Sequence, residues 1–383
     1  MVVLLALPAA ASAIEIATGR MLGPSHDQRA FYIRDGARAA WRKTYSGPRF
    51  KPEAAGRLMN LRIAQALFDD EWLTEFRFDP EKNTDRVIAA LDAYKAHGIL
   101  AVNVSLQGGF PGYNREFPAI KRGRAYKLGP GKGAHISAFR PNGELKPAWM
   151  ARLLRLQRAL DRRGMILNLL LFYQGQDEIL AGPDAIRAAA ANVADWLAAN
   201  QCRNAIVDIA NEFDIRGWDH DFWIRDHLGE LIELVRARLR AGGNPLPISS
   251  STGASSRLYP QIAEHADYVL IHGNNKPVEF KGARTAELVA DFGAPGPIVM
   301  NEDDSGRATT PEVLRNELAS CDAVFQAGGS WGYMPWRQTQ MFPFRHYRPA
   351  KNSRLTPGMT LDQSDPVYFK AVLEHIRALV FHN

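Results

Sequence analysis

Two glutamates far apart in the chain each end a short apolar run. Glu212 follows Ala205-Ile206-Val207-Asp208-Ile209-Ala210-Asn211, and Glu302 follows Pro297-Ile298-Val299-Met300-Asn301. Carboxylates brought to one site can divide labour, one held protonated as a general acid and the other ionised as a nucleophile. Cleavage of a glycosidic bond uses such a pair. Other apolar runs end in the same way, at Gln65, Gln107, Tyr173, Asn211, Ser251, His272 and Trp331. These residues are polar or aromatic where a core would otherwise continue.

A parallel sheet with crossover helices would gather such strand ends on one face, and the chain carries that pattern. Eight apolar runs, at 58–65, 99–106, 165–172, 205–210, 246–251, 268–272, 297–301 and 329–334, read as buried strands. Helical patterns lie between them at 85–97, 147–163, 184–200, 222–241 and 311–327. Thr84 is placed to cap the first, Gly98 and Gly164 to end the first two, Pro183 to open the third and Gly242-Gly243 to close the fourth. Eight strands with crossover helices predict an α/β fold, a (β/α)8 TIM barrel. The rival, an open doubly wound sheet, would leave its first strand through Gly-x-Gly-x-x-Gly, which this strand lacks. Barrel active sites sit at the C-terminal strand ends, and the glutamates fall there on strands four and seven. The catalytic barrel is expected over 58–383. Residues 14–57 form an N-terminal extension in which Asp35-Gly36, between the stretches 31–34 and 37–41, predicts a β-hairpin plugging or flanking the barrel.

Asn-Glu after the fourth strand, Glu after the seventh, His after the sixth and Trp after the eighth resemble the clan A glycoside hydrolases. The likeness runs from about Leu58 to the C-terminus. It implies a retaining double displacement on a poly- or oligosaccharide, with Glu212 as acid/base and Glu302 as nucleophile. It gives Asn211 the sugar 2-hydroxyl, a hydrogen bond that can strengthen in the transition state, and Trp331 the stacking surface for the sugar beside the scissile bond. His272, Tyr173, Gln65 and Gln107 complete the expected substrate-binding set. After strand six, Ile271-His272-Gly273-Asn274-Asn275 departs from the His-x-Tyr of family 5, and His272 could itself orient the nucleophile. The stretch Asn301-Glu302-Asp303-Asp304 is more acidic than the family's, and neighbouring like charges raise one another's pKa. Specificity for sugar and linkage would lie in the loop 107–146 and in 336–348, which mixes aromatics with cations. The latter could meet an acidic sugar or be a solvated loop.

Composition bounds the alternatives. The 383 residues are 46% hydrophobic and 23% charged, which excludes a disordered chain. The net charge of +6 is spread rather than clustered, so no nucleic-acid partner is expected. Val2-Val3-Leu4-Leu5-Ala6-Leu7, followed by Ala11-Ser12-Ala13, predicts a signal peptide over 1–13, a mature start near Ile14 and an exported protein, although a basic n-region is missing. The run is too short to span a bilayer. Cys202 and Cys321 stand alone without metal-ligand spacing, which predicts ordinary buried thiols. Asp214, His272, Asp303 and Asp304 could make an oxygen-rich metal site, but the retaining mechanism needs none, and no metal or cofactor is expected. Two other classes compete: a carbohydrate-binding barrel that has lost catalysis, and a metal-dependent barrel hydrolase.

Overall fold

Every one of the eight apolar runs contains a strand in the computed structural model, which describes residues 14–69, 79–108, 136–291, 293–303, 310–335, 339 and 366–382. The expected leader 1–13, most of the loop 107–146, Asp304 and nearly all of 336–348 lie outside the described residues. The barrel strands are β4 (Asn60–Arg62), β5 (Ala101–Ser105), β6 (Ile166–Tyr173), β7 (Ala205–Asn211), β8 (Ile248–Ser249), β9 (Val269–His272), β10 (Ile298–Asp303) and β11 (Ser330–Tyr333). They form one parallel sheet in the order β8-β7-β6-β5-β4-β11-β10-β9. A parallel bridge between Ser251 and Leu270 joins the two ends. The fold is therefore the expected (β/α)8 barrel.

Side chains alternate across each strand, and the two faces pack into separate clusters. Leu61, Val102, Leu167, Leu169, Val207, Ile209, Ile271 and Met300 belong to the large core shared with the helices. Leu58, Ala101, Ile166, Ile206, Leu270 and Val299 form a second, apolar cluster at the N-terminal ends of the strands. Two residues further along, the same faces carry Asn60, Asn103, Asn168, Asp208 and Asn301, all buried. His272, two residues beyond Leu270, follows the same step, and Arg62 lies two residues beyond Asn60, both buried. The barrel lumen thus passes from apolar through amide to charged toward the mouth.

The N-terminal extension closes the apolar end. Strand β2 (Phe31–Arg34) pairs antiparallel with β3 (Arg42–Lys43), which is the expected hairpin with its second strand starting later than the 37–41 stretch. A strand without a signal in the sequence, β1 (Glu15–Thr18), pairs along the other edge of β2. Ile14, Ile16, Phe31 and Ile33 pack directly on the apolar layer of the barrel, with the rings of Phe31 and Tyr268 at 5.7 Å.

The outer layer holds α1 (Pro80–Ala96), α2 (Pro147–Asp161), α3 (Pro183–Ala199), α4 (Leu228–Ala241), α5 (Pro260–His265), α6 (Val278–Ala290), α7 (Pro311–Gln326) and α8 (Pro366–Val380). Helix α1 begins earlier than expected because Asp79 accepts from the Lys82 N–H and Pro80 occupies the first position. Thr84 is therefore no cap: it is buried inside the helix and donates to the Ala66 carbonyl at 2.8 Å. Residues Phe222–Asp226, expected to open the fourth helix, instead form a π-helical turn before α4. Cys202 and Cys321 are free and buried, as expected.

If the plug seats the barrel floor, Phe31→Ala should cost about 3–5 kcal/mol. A thermal melt should show a clearly lowered Tm, and an unchanged Tm would disprove the role assigned to this contact.

Candidate active site

The two glutamates reach one mouth by different backbone devices. Asn211 ends β7, and Glu212 then adopts φ of 50°, left-handed backbone that is uncommon for a residue other than glycine. The turn is held at Glu212 itself, whose N–H donates to Ser251 Oγ at 3.3 Å and whose carbonyl accepts from Trp218 Nε1 at 3.3 Å.

On β10 the device is a bulge. Met300 lies opposite both Ile271 and Trp331, yet Glu302 lies opposite His272 and Asp303 opposite Tyr333, so β10 carries one extra residue against each neighbour. Strict alternation would send Asn301 and Glu302 to opposite faces. With the bulge both meet lumen residues, Asn301 facing Asp208 and Glu302 facing Arg62 and His272. Asp303 takes the outward position. There it accepts from Lys281 Nζ of α6 at 2.7 Å and from Trp331 Nε1 at 2.8 Å, with all three side chains buried. Gly273 leaves room for this arrangement, since a Cβ there would sit 2.6 Å from Met300 Sδ and 2.8 Å from Asp303 Oδ1.

The mouth is a charged network. Glu302 accepts from Asn274 Nδ2 at 2.6 Å and pairs with Arg62 Nη1 at 3.1 Å, its side chain 8% exposed. Arg62 also donates from Nη2 to Asn211 Oδ1 at 2.8 Å, and Asn211 Nδ2 donates to Gln174 Oε1 at 3.2 Å. His272 Nδ1 donates to Glu212 Oε1 at 2.9 Å and stands 3.7 Å from Glu302 Oε2. One oxygen of each glutamate and a ring nitrogen of His272 all lie within 4.8 Å of one another. Glu212 is the more open carboxylate, 17% exposed.

Burial alone would raise the pKa of Glu302, but Arg62, His272 and Asn274 together outweigh it and hold the carboxyl below the usual glutamate range. His272 moves the other way. Burial disfavours its charged form, yet the Glu302 and Glu212 carboxylates raise it above the ordinary histidine value. Beneath them Asp208 is pushed up to about 6 by burial, partly offset by His272, Ser251 and Arg62.

Glu212, Glu302, Asn211 and His272 are thus brought together. Tyr173, half-buried, lies beside Asn211 in the β6–β7 register and binds Gln107 Oε1 through its backbone N–H at 3.0 Å. Gln107 is wholly buried and spends its amide on Ser137 Oγ and the Gln176 carbonyl, so it laces two loops together. Gln65 is also wholly buried, in a turn after β4, where its carbonyl accepts from Asn83 Nδ2 and the Phe68 N–H. Trp331 departs from the expected stacking surface. It is 0% exposed, stacked at 5.7 Å on Tyr333 and tied to Asp303, so its ring faces the packed interior. Arg62, Asn274, Gln174 and the Lys281–Asp303 pair enter the site through contacts that strand ends alone do not reveal. An arginine inside the apolar run 58–65 was the available signal, because unpaired arginines are rarely buried. Lys281 sits in a helix and carried none.

Asp304 of the expected oxygen-rich metal set lies outside the described residues, and among the described ones Asp214, His272 and Asp303 do not form a group with metal-ligand spacing. Asp303 turns to Lys281, and Asp214 accepts from the Gly253 N–H and Tyr259 hydroxyl. Among the described residues, two other groups have metal-ligand spacing: Glu212, His272 and Glu302 themselves, and Asp177, Glu178 and Asp219. In the second, burial pushes Asp177 up to about 6.

Removing one partner of a buried ion pair typically costs about 3–5 kcal/mol. Lys281→Met should therefore lower the Tm strongly, and adding Asp303→Asn should recover part of the loss, since a neutral amide needs no cation and its oxygen can still accept from Trp331. A double variant no more stable than Lys281→Met would rule out the pair as the cause.

No sequence-family model and no curated protein matches the chain. Solved structures do resemble it. GH5_18 from Streptomyces cattleya in complex with GlcNAc superposes with a TM-score of 0.51 at 17% identity, over 84% of this chain and 80% of its own. A GH113 β-1,4-mannanase gives 0.50 at 10% identity, over 84% of this chain and 98% of its own. The exo-β-1,4-mannosidase Op5Man5 from Opitutaceae bacterium strain TAV5 gives 0.49 at 14% identity over 87% of this chain. The chain spans 62% of that protein's length. What the chain shares with the first two of these structures is the barrel fold.

Proposed function

We propose that the protein is an exported retaining glycosidase acting on a poly- or oligosaccharide, with Glu302 as nucleophile and Glu212 as acid/base. The observation that carries this reading is the approach of the two carboxylates to within 4.8 Å, oxygen to oxygen, across one barrel mouth. Retaining enzymes hold their carboxyl groups about 5–5.5 Å apart, whereas inverting enzymes leave about 6.5–9.5 Å for a water. The difference in environment supports the assignment of roles. A carboxylate held ionised by Arg62 and Asn274 suits attack, and the more open Glu212 suits proton exchange with a leaving group and then with water.

In the first step a Glu302 oxygen attacks the anomeric carbon while Glu212 protonates the departing glycosidic oxygen. In the second, Glu212 takes a proton from water, whose oxygen displaces Glu302 from the anomeric carbon and regenerates both groups. In this reading Asn211, which is buried and held by Arg62 and Gln174, has the part that the family resemblance gives it, the hydrogen bond to the sugar 2-hydroxyl. Residues 2–13 support export through their apolar run and Ala-x-Ala ending.

A second reading, carbohydrate binding without turnover, draws on the buried Arg62–Glu302 pair, which could be a purely structural salt bridge. Turnover on a glycan panel with chelator present separates the two. We expect chelator-insensitive hydrolysis with retained anomeric configuration by NMR, and a loss on the order of 10⁴-fold or more for Glu302→Gln. Glu212→Ala should lose activity that azide restores. Binding by the wild type with no turnover would favour the second reading, and abolition by chelator would favour a metal hydrolase.

The pH profile tests the charge network. Since Glu302 must be ionised to attack and its pKa is lowered, the acid limb of kcat/KM should lie below the glutamate reference of 4.5. Removing the Arg62 cation raises that pKa, so Arg62→Met should move the acid limb to higher pH. A limb that stays in place would refute the coupling.

A further inference from the structure

The backbone N–H of Ile14 donates to Asp161 Oδ1 at 3.0 Å, across 147 positions of sequence. Ile14 is 2% exposed and Asp161 9%. Asp161 is the last residue of α2, where the negative end of the helix dipole disfavours a carboxylate and favours a cation. The residues before Ile14 are Ala11-Ser12-Ala13, small at the two positions that leader peptidases read. We infer that the chain is processed between Ala13 and Ile14 and that the new α-ammonium of Ile14 forms a buried ion pair with Asp161. This inference rests on the export reading above, with its expected mature start near Ile14, and adds the interaction that cleavage there creates.

The reaction is hydrolysis by a leader peptidase. Water supplies hydroxyl to the Ala13 carbonyl carbon, the Ala13–Ile14 C–N bond breaks, and the nitrogen gains the remaining proton. The freed amine, with a reference pKa of about 7.7–8.0, takes up a further proton at neutral pH. A neutral N–H at 3.0 Å from a carboxylate thereby becomes a charge-assisted donor, a stronger interaction of the same geometry. Because Ile14 is buried, cleavage must precede folding, which is the order that export imposes.

The location gives the pair a task. Ile14 and Ile16 lie in the apolar layer that seals the barrel floor, and the Ile16 N–H donates to the Arg203 carbonyl at 3.2 Å just ahead of β7. An ion pair at the first residue would clamp β1, and through it β2, onto α2 and the floor. The retained leader would leave a neutral amide in its place, so the mature chain is the more firmly closed one.

Two measurements decide the matter. The first is the intact mass and N-terminal sequence of the exported protein, which should begin at Ile14. The second is a thermal-stability cycle on chains beginning at Ile14 or carrying a Gly-Ser-Gly extension before it, each with Asp161 or with Asp161→Asn. The substitution should lower Tm by about 3 °C more in the chain that begins at Ile14, the shift of a charge pair in a domain of this size. Retention of the leader, a mature start elsewhere, or equal Tm losses in the two backgrounds would overturn the inference. Glycan turnover, measured on the same proteins, reports separately on the glycosidase reading.

Discussion

Two carboxylates within 4.8 Å of each other in a mostly buried mouth repel unless cations or protons stand between them. Arg62 and His272 meet that constraint, and much of the upper barrel follows from it. Arg62 is more deeply buried than the carboxylate it serves, and a buried arginine needs acceptors for its whole fork. Glu302 and Asn211 supply two of them, which ties β4 to β7 and β10 across the lumen. His272 links the two glutamates from β9. The same interactions that make the charges tolerable therefore also fix where the carboxylates point.

The middle layer of the lumen extends this logic downward. Asn103 donates to Asn60 Oδ1 and to the Asn301 carbonyl, and Asn301 reaches Asp208, so amides rather than aliphatic side chains fill the space beneath the charges. Such a layer raises the local polarity under Glu302 and His272, while the aliphatic floor and the N-terminal plug keep water from entering at the opposite end. The price is a barrel whose interior is stabilised by directed bonds, in which each lost partner leaves a buried group unpaired.

Much of this was legible in the sequence, and the reasons are particular. The strands were visible because both of their faces are covered, which yields near-continuous apolar runs. Glu212 and Glu302 were visible because each breaks such a run at its C-terminal end. The plug was partly visible, since Asp35-Gly36 marks a turn, but β1 was not, because four residues beside a leader-like stretch carry no independent period. The start of α1 was misplaced because Thr84 is an acceptable cap and Asp79-Pro80 is a better one. Trp331 shows a limit of motif reasoning: the residue type and strand end match the clan A pattern, whereas ring orientation depends on Asp303, which the β10 bulge turns outward. A bulge leaves no mark in residue type.

That bulge also explains why the acidic stretch after strand seven is tolerated. Read as a sequence, Glu302 and Asp303 are adjacent like charges that should perturb one another. In the fold they diverge: Glu302 faces Arg62 in the lumen, and Asp303 faces Lys281 in the helix layer, so each negative charge has its own cation within about 3 Å. The outward pair then acts as an anchor for the inward one. Asp303 is fixed to α6 through Lys281 and to β11 through Trp331, and a single peptide bond joins that fixed residue to the one whose carboxylate is proposed to attack. A nucleophile at the end of a bulged strand would otherwise have slack. The position of the Glu302 carboxylate in the lumen thus depends on a lysine buried in the outer layer as well as on the groups that the carboxylate itself faces.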